Sequence, residues 1–310
     1  MKSLSADGLT KQKLLKYDIM LSMRILITGA GGYIGRHVVR AALDEGHTVV
    51  ASDINRKYID SSVEFLDVDI FDASSSVFER AGKPDLLIHL AWRDGFIHNS
   101  SAHMLELSKH VQFINSMICA GLANLAVMGT MHEVGYYEGA ICETTPCSPL
   151  SLYGVAKNAL RQATLLTTQN VNIYWLRAFY IYGDDLFGSS IFSKIAQLGS
   201  SLRGSQTASF PFTTGKNKYD FIHVADLAKQ IILASSQSSF ALGDEITGII
   251  NVCSGKATSL SQQVENYIKD NNYNITLEYG VFNERPYDSP CIWGDSTKIN
   301  KIMEARIRET

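Results

Sequence analysis

At 310 residues, the chain is long enough for one large α/β domain or for a large domain that carries a smaller one. Its 45% hydrophobic and 19% charged residues are ordinary for a globular protein, and a net charge of −3 offers no basic surface to nucleic acid or to anionic membranes. No apolar run approaches the roughly 20 residues that cross a bilayer. We therefore expect neither a nucleic-acid-binding protein nor a membrane protein.

The five cysteines are scattered, form no CxxC pair and lack the histidine spacing of a zinc site. We expect reduced, mostly buried thiols in a cytoplasmic protein, and no metal site. Residues 1–22 contain no apolar core of a signal peptide. They are interpreted as an N-terminal extension, an added leader or a short extra helix, with the domain itself starting at Met23.

From Met23 onward, short apolar strands alternate with amphipathic helices. The predicted strands cover residues 24–28, 47–53, 63–69, 84–91, 124–130 and 172–179. Helices are predicted over residues 34–46, 72–82 and 104–120, and a further helix begins near Tyr153. This alternation predicts an α/β fold with a doubly wound parallel sheet, the Rossmann fold, over residues 23–183.

Beyond residue 184 the alternation becomes less regular. Residues 223–237 and 258–270 are predicted to be helical, and residues 248–254 form a strand between them. We interpret residues 184–310 as mainly a smaller α/β lobe that binds the substrate and is interleaved with the last elements of the first domain.

A glycine-rich loop joins the first strand to the first helix. Gly29, Gly32 and Gly35 fit the pattern GxxGxxG, with Tyr33 and Ile34 inside it. Small residues let the backbone turn tightly and approach a pyrophosphate, which the N-terminus of the following helix attracts. The strand–loop–helix context supports a dinucleotide site.

Asp53 ends the second strand, 18 positions after Gly35. A carboxylate there accepts hydrogen bonds from the adenosine ribose and repels a 2′-phosphate, which favours NAD. Arg56 and Lys57 follow directly and are able to hold the phosphate of NADP, so the preference is only slightly for NAD. The alternative is that Asp53 is a simple turn residue.

Tyr153 and Lys157 lie four residues apart, so a helix places them on one face. Tyrosine has an ordinary pKa of about 10, and a neighbouring ammonium stabilises the tyrosinate and lowers that pKa toward the range where it transfers protons. Taken alone, the pair also fits the surface of an amphipathic helix. Thr130 ends the fifth strand, where a hydroxyl is able to polarise the same substrate oxygen, and reactive groups collect at such strand ends. We predict Thr130, Tyr153 and Lys157 as the catalytic groups.

These motifs resemble those of the extended short-chain dehydrogenase/reductases, specifically the nucleotide-sugar epimerase/dehydratase/reductase group. The likeness runs from Met23 to about Ile302 and includes the glycine loop, Thr130 with Gly135, the Tyr153–Lys157 pair, residues 176–183 (LRAFYIYG), residues 220–224 (DFIHV) and Arg285–Pro286. The resemblance implies cofactor contacts by Asp69, Ile70, Leu90, Ala91, Lys157 and Tyr180. It also implies substrate contacts by Tyr180 and by Arg285, which would grip a diphosphate; without the family, Arg285 is an ordinary surface arginine.

Two departures refine this picture. Nucleotide-sugar 4,6-dehydratases follow the threonine with Asp-Glu, whereas here Met131 and His132 follow Thr130, so dehydration is disfavoured. His132 is a candidate substrate contact or a packing residue, and Glu133 is not assigned the missing role. The basic residue that the family has before Asp-Phe is Tyr219 here. Trp92 is predicted to frame the sugar and nicotinamide, with packing of a lid as its alternative.

The finer likeness is to reductases of nucleotide-linked 4-keto-6-deoxyhexoses, which supply bacterial surface polysaccharides. We therefore expect hydride transfer from NAD or NADP to C4, with Tyr153 as the proton donor. A C4-epimerase with retained NAD is the nearest alternative, and a non-catalytic dinucleotide sensor is a third. The resemblance also implies a homodimer. The nucleotide and the sugar stereochemistry stay open.

Overall fold

The larger of the sheets contains seven parallel strands. The computed structural model describes residues 22–72, 76–166, 170–183, 186, 190–236, 247–284 and 288–309. In spatial order the strands of this sheet are β11 (Gly248–Val252), β7 (Asn172–Ala178), β5 (Asn124–Thr130), β4 (Leu86–His89), β1 (Arg24–Thr28), β2 (Thr48–Ser52) and β3 (Glu64–Phe65). Every neighbouring pair is parallel. The predicted doubly wound α/β fold is therefore confirmed.

Helices cover both faces of this sheet. Successive residues of β1 point to opposite sides, because Ile25 and Ile27 enter one buried core and Leu26 enters another. The first core is covered by α1 (Gly35–Asp44), α6 (Val224–Ser236) and α8 (Thr297–Glu309), and the second by α2 (Val77–Arg80), α3 (Ala102–Cys119) and α4 (Leu152–Leu165). Burial on both faces explains why these strands are continuous apolar runs in the sequence.

The strand order reverses between β1 and β4. From β1 the chain proceeds to β2 and β3 on one side, and from β4 to β5, β7 and β11 on the other. The carboxyl ends of two adjacent strands with diverging connections leave a crevice, where ligands of such folds bind. Thr28 and His89 end these two strands, and they are paired in register.

A second sheet of five strands lies beside the first. It contains β12 (Ala257–Ser259), β10 (Lys218–His223), β14 (Cys291–Gly294) and β6 (Gly139–Ile141), with β8 (Tyr180–Tyr182) paired to β10. A separate parallel pair joins β9 (Ala208–Pro211) to β13 (Ile275–Glu278), and the helices of this part are α5 (Ile191–Ser201) and α7 (Leu260–Asp270). The two sheets are interleaved along the chain, since β6 and β8 come before residue 184 and β11 comes after it.

Asp220, on β10, connects the two sheets. Its carboxylate is completely buried and accepts hydrogen bonds from the backbone N–H groups of Ser254, Gly255 and Gly294, at 2.8, 2.9 and 3.1 Å, and from the Ser254 hydroxyl at 2.6 Å. Ser254 follows the edge strand β11 of the large sheet, whereas Gly294 ends β14 of the small one. One side chain thus satisfies backbone donors from both sheets.

Several element boundaries differ from the sequence prediction. Residues 63–69 were predicted to be a strand, but only Glu64–Phe65 pairs with β2, because the chain then turns through Asp69. Of the predicted helix 72–82, residues 77–80 are helical and residues 73–75 lie outside the described ranges. The predicted extension also falls outside them, except for Ser22. None of the helices that the structure describes has the length and apolar character of a membrane crossing.

Candidate active site

The glycine loop packs against the carboxyl end of β4. Gly29 has a φ of +68°, and a Cβ on it would lie 2.8 Å from the backbone nitrogen of Ala91. A Cβ on Gly35 would collide with the carbonyl oxygen of Gly29. Residues without side chains are therefore required for the loop to turn this tightly beside Leu90 and Ala91, and the N-terminus of α1 is left at the crevice, as a pyrophosphate site needs.

Tyr33 and Ile34 complete the loop. The Tyr33 hydroxyl donates a 2.6 Å hydrogen bond to the carbonyl oxygen of Gly183, 150 residues away in sequence. Ile34 packs against the first core. The loop is thus held both to its own helix and to the end of β8.

Asp53 and Arg56 together determine the charge at the end of β2, where the adenosine ribose is predicted to bind. Asp53 accepts a 2.8 Å hydrogen bond from the backbone of Gly31 and faces the loop. The Arg56 guanidinium turns away, donating to the carbonyl oxygens of Ser61 and Val63 at 2.8 and 3.0 Å. Since Arg56 is committed to these carbonyls, its guanidinium does not accompany the Asp53 carboxylate toward the glycine loop. This arrangement fits a ribose with a free 2′-hydroxyl.

Asp69 and Ile70 follow β3, and Leu90 and Ala91 follow β4. Asp69 is exposed and accepts a 2.9 Å hydrogen bond from the backbone of Phe71, which forms a tight turn after β3. Ile70 packs on the second core and Leu90 on the first. The backbone N–H of Leu90 donates a 3.2 Å hydrogen bond to the carbonyl oxygen of Thr28, and that of Ala91 donates a 3.4 Å hydrogen bond to the Thr28 hydroxyl. These positions agree with a cofactor lying across the carboxyl ends of β1, β2 and β4.

The structure brings Tyr153 and Thr130 together. Tyr153 lies in the first turn of α4, whose N-cap Ser151 accepts a 3.2 Å hydrogen bond from Gly154 N–H. A Cβ on Gly154 would collide with the carbonyl oxygen of His132, so glycine at this position lets α4 approach the end of β5. The Thr130 side chain is then near enough to Tyr153 to lower the pKa of its phenol.

The environment of Tyr153 favours the neutral phenol in the absence of ligand. Burial raises the pKa of Tyr153, the Thr130 side chain lowers it, and the Glu133 carboxylate raises it. Its ring is surrounded by aromatic side chains, with centroids 5.3 to 6.2 Å away in His98, His103, His132 and Trp92. A desolvated phenol beside a hydroxyl is suited to donate a proton to a substrate oxygen.

Lys157 lies one turn further along α4 and is also buried. Its ammonium donates a 2.8 Å hydrogen bond to the carbonyl oxygen of Met128 and lies 3.8 Å from the centroid of the Trp92 ring. Burial lowers the pKa of Lys157 to about 7, while the Glu133 carboxylate raises it. The charge that is predicted to tune Tyr153 is therefore on a group that titrates near neutral pH.

Glu133 occupies a structural position and does not face the substrate pocket. Thr130 is the N-cap of a short 3₁₀ helix, Met131–Glu133, and the Glu133 carboxylate accepts a 2.7 Å hydrogen bond from the Thr130 backbone, which completes a capping box. The same carboxylate accepts from the indole of Trp175 at 3.0 Å and lies 3.5 Å from the guanidinium of Arg177. Glu133 thus orients Thr130 from behind.

A pocket lies next to Tyr153 on the side of the small sheet. It is lined by His98, Met131, His132, Tyr180 and Ser289, together with Gly135, Leu150, Ser151 and Asp288. Tyr180 packs against Tyr219, with ring centroids 4.2 Å apart. Tyr219, which stands where the family has a basic residue, therefore lies directly behind the pocket. His132 and Tyr180, both predicted to contact substrate, therefore share one pocket. Arg285, the other predicted substrate contact, lies outside the described residues.

Four histidines near the site had no role in the sequence analysis: His89, His98, His103 and His110. His103 and His110 are seven residues apart on α3 and both are 2% exposed. That spacing, two helical turns, was the available signal, because it places both rings on the same buried face. Their partners are on other elements, and only the folded chain shows them. Within the described ranges no group of three or more His, Cys, Asp or Glu side chains is arranged to hold a metal ion.

Comparison with known proteins agrees with this geometry. A model of the "NAD dependent epimerase/dehydratase family" matches residues 25–253. The dTDP-6-deoxy-L-talose 4-dehydrogenase (NAD(+)) of Aggregatibacter actinomycetemcomitans is 41% identical over 282 residues, covering 88% of this chain and 99% of that protein. A putative UDP-glucose 4-epimerase of Methanocaldococcus jannaschii is 25% identical and covers 86% of each chain.

The fold also matches solved structures. A UDP-glucose-4-epimerase from Stenotrophomonas maltophila, with bound NAD and formylated UDP-arabinopyranose, superposes with a TM-score of 0.76 at 22% identity, covering 91% of this chain and 92% of that one. The family model covers most of the chain, and the 41% identity extends over 88% of it. The chain therefore belongs to the NAD dependent epimerase/dehydratase family, as an NAD-dependent enzyme.

Proposed function

We propose that the chain interconverts a nucleotide-linked 6-deoxyhexose and its 4-keto form, with NAD as the redox partner. The observation that carries the proposal is that Tyr153, in the first turn of α4, lies next to Thr130 and one helical turn from the buried Lys157 ammonium. The relative that is 41% identical is a 4-dehydrogenase of a dTDP-linked 6-deoxy sugar, which supports C4 as the reacting carbon and dTDP as the nucleotide. The expected reduction of a 4-keto-6-deoxy sugar is that same equilibrium in the opposite direction.

The chain's residues would act on the oxygen at C4. In the direction of reduction Tyr153 gives its phenolic proton to that oxygen, and Thr130 orients the oxygen by hydrogen bonding. Lys157 stabilises the resulting tyrosinate by its charge. The glycine loop and Asp53 would hold NAD, which when bound accepts or supplies the hydride at C4. In the direction of oxidation each of these protein steps is reversed.

The surroundings of Thr130 support redox chemistry over dehydration. Elimination of water across two sugar carbons requires an acid and a base. Met131 follows Thr130 and has no proton to transfer, and the Glu133 carboxylate is completely buried between Trp175 and Arg177. The position next to the catalytic hydroxyl is therefore apolar, which suits a sugar that already carries a methyl group at C6.

A C4-epimerase is the second candidate, because relatives at about one quarter identity are named as such. Net consumption of cofactor separates the two functions. With a dTDP-4-keto-6-deoxyhexose, a reductase oxidises one NADH for each sugar reduced. With the corresponding dTDP-6-deoxyhexose, which carries a hydroxyl at C4, an epimerase inverts C4 and leaves NAD unchanged over a full cycle. Inversion of C4 in this second sugar with no net change in NADH absorbance would favour the epimerase.

Replacement of Tyr153 tests the catalytic assignment. We expect Tyr153→Phe to lower kcat by about 10²- to 10⁴-fold, as loss of a positioned acid does, with little change in NAD affinity. Tyr136→Phe is a matched control, since the Tyr136 hydroxyl is exposed and bonds to Glu138. Steady-state assays and titration of NAD by protein fluorescence provide the two readouts. Wild-type turnover in Tyr153→Phe would refute the proposal.

We further propose that two copies of the chain associate through α3 and α4. These helices pack on each other, and their outer surfaces carry exposed apolar side chains, including Leu105 at 73% and Val155 at 37% exposure. Light scattering should give the mass of a dimer for the wild type and of a monomer for Leu105→Glu. A monomeric wild type would refute the assembly.

A further inference from the structure

Trp92 lies between the catalytic lysine and a buried histidine. The Lys157 ammonium is 3.8 Å from the centroid of the indole, and the His110 ring stacks on the indole with centroids 4.5 Å apart and planes 19° apart. The aromatic face carries negative charge density, so a cation at this distance is attracted to it. His110 is 2% exposed, and its own ring bonds to His89 at 2.9 Å.

His103 fixes the indole in its plane. The Trp92 N–H donates a 3.1 Å hydrogen bond to Nδ1 of His103, and Nε2 of His103 lies 3.0 Å from the carbonyl oxygen of Ile97. An indole nitrogen only donates, so Nδ1 of His103 must be unprotonated, and Nε2 must then carry the proton that it gives to Ile97. The two contacts require one neutral tautomer of a side chain that is 2% exposed.

Lys157 needs such a partner because its ammonium is buried. The side chain is 3% exposed, and one carbonyl oxygen, that of Met128, accepts a hydrogen bond from it. An ammonium removed from water with few acceptors tends to lose its proton. Resting on the proposed role of Lys157, we propose that Trp92 is a positioning residue: its indole face holds the charged ammonium beside Tyr153, and His103 and His110 hold the indole.

The charged groups around Lys157 leave its protonation sensitive to the indole of Trp92. Glu133 faces it from the 3₁₀ helix and favours the ammonium, and Tyr153 shares its helix. His110 on α3 and His89 on β4 also face it. Burial and, to a smaller extent, the charge of Lys157 lower the pKa of His110 to about 3. Burial, with smaller contributions from His110 and Lys157, keeps the pKa of His89 well below its ordinary value. Both rings are neutral near pH 7, so the imidazole stacked on the indole adds no competing cation.

The first test compares Trp92→Phe with Trp92→Leu in the protein without cofactor. Both variants lose the indole N–H and some volume, but only phenylalanine keeps an aromatic face. The pKa of Lys157 is read from NMR of lysines labelled at Cε, with Lys157→Arg to assign the signal. We expect Trp92→Leu to lower this pKa by about one unit relative to Trp92→Phe, which is the strength of a desolvated cation–π contact. Equal pKa values in the two variants would overturn the proposal.

The second test uses the pH profile of the oxidation reaction, in which Tyr153 must lose its proton. A weaker ammonium stabilises the tyrosinate less, so the acidic limb of kcat/KM should move to higher pH in Trp92→Leu than in Trp92→Phe. A residue that only contacts the sugar would instead raise KM and leave both the limb and the NMR titration in place. That second pattern would refute the positioning role.

His103 supplies an independent pair of variants. Asparagine at position 103 retains an acceptor close to the place of Nδ1, whereas leucine retains none. We expect His103→Asn to keep the pKa of Lys157 near that of the wild type and His103→Leu to lower it, even if Trp92→Leu fails to fold. Equal pKa values of Lys157 in these two variants would argue against the proposal that His103 holds the indole. Full activity of Tyr153→Phe would refute the proposed function itself. An inactive Tyr153→Phe, together with a Lys157 pKa that stays the same in all the Trp92 and His103 variants, would refute only this inference.

Discussion

The buried ammonium of Lys157 links catalysis to the pH dependence of stability. Burial lowers its pKa from an ordinary 10.5 to about 7. Between these values the unfolded chain binds a proton that the folded chain does not, so the contribution of Lys157 to the free energy of unfolding rises with pH. Below about pH 7 the full cost of burying the charge is present, and it disappears as the pH approaches the unfolded pKa.

Replacing this lysine should therefore stabilise the protein in a pH-dependent way. We expect Lys157→Met to have a higher free energy of unfolding than the wild type at pH 7, with an advantage that shrinks by up to about 1.4 kcal/mol per pH unit toward pH 9. Urea unfolding at pH 7, 8 and 9 measures the difference. The exposed Lys229→Met variant is the control and should show a constant difference. A constant difference for Lys157→Met as well would contradict the burial of its charge.

Asp53 is the residue on which we expect the choice of NAD to depend. An asparagine there still accepts the hydrogen bond from Gly31 but no longer repels a phosphate. We expect Asp53→Asn to weaken NAD binding by about tenfold, as for the loss of a charged hydrogen bond, and to raise the affinity for NADP. Fluorescence titration with each cofactor measures both constants. Because Arg56 is held by Ser61 and Val63, Arg56→Gln should leave the ratio of the two affinities unchanged; a large change in that ratio would mean that Arg56 contacts the ribose.

At the scale of elements, the end of β5 is supported by a buried polar cluster. A Cβ on Gly129 would collide with the indole of Trp175, so glycine lets Trp175 and Glu133 meet behind the strand. Arg177, on β7, is completely buried and lies 3.5 Å from the Glu133 carboxylate. The cluster orients the 3₁₀ helix and with it the hydroxyl of Thr130. Its stability depends on both partners, since a buried charge left alone is costly.

Removing one charge of this cluster should strongly lower the free energy of unfolding. We expect Glu133→Gln to lower the free energy of unfolding by about 3 kcal/mol, because the Arg177 guanidinium is left buried without its counter-charge. Arg177→Met should destabilise by a similar amount, and the double variant by clearly less than the sum of the two, as coupled neighbours do. Denaturant unfolding of the four proteins gives the coupling energy. Additive effects would show that the two side chains act independently.

On the scale of the whole molecule, five segments that are distant in the chain build the small sheet, and Asp220 joins it to the large one. Its two oxygens accept four hydrogen bonds from Ser254, Gly255 and Gly294. An amide can replace only one of these oxygens as an acceptor. The contact between the sheets also forms one side of the pocket beside Tyr153, because Tyr180 lies on β8 and β8 pairs with β10.

Loss of this connection should loosen both sheets at their junction. We expect Asp220→Asn to lower the free energy of unfolding by about 2–4 kcal/mol, through donors left unsatisfied in the interior. Hydrogen exchange should accelerate at residues 254–255 and at Gly294 in particular, with β1 and β4 protected as before. Asp226→Asn, an exposed aspartate on α6, is the control. Uniform acceleration over the whole chain would indicate global destabilisation only.

Local features of the sequence already determined the outline of this protein. A strand, a glycine loop and a helix in succession, a threonine at a strand end and a tyrosine four residues before a lysine are patterns of short range. Chain geometry and helical period fix how such residues are placed, so the Rossmann sheet and the meeting of Tyr153 with Thr130 were predictable. The NAD preference was only weakly indicated, because the sequence placed Arg56 near the ribose without showing where its side chain points.

Tertiary structure alone decided what surrounds these groups. Glu133 proved to be a capping residue bound to Trp175 and Arg177, and Trp92 proved to lie between Lys157 and His110. Each of these contacts joins elements that are 18 to 65 residues apart in the sequence. Such contacts arise from packing helices and strands against one another, and no pattern within a single element specifies which partner a buried side chain will meet.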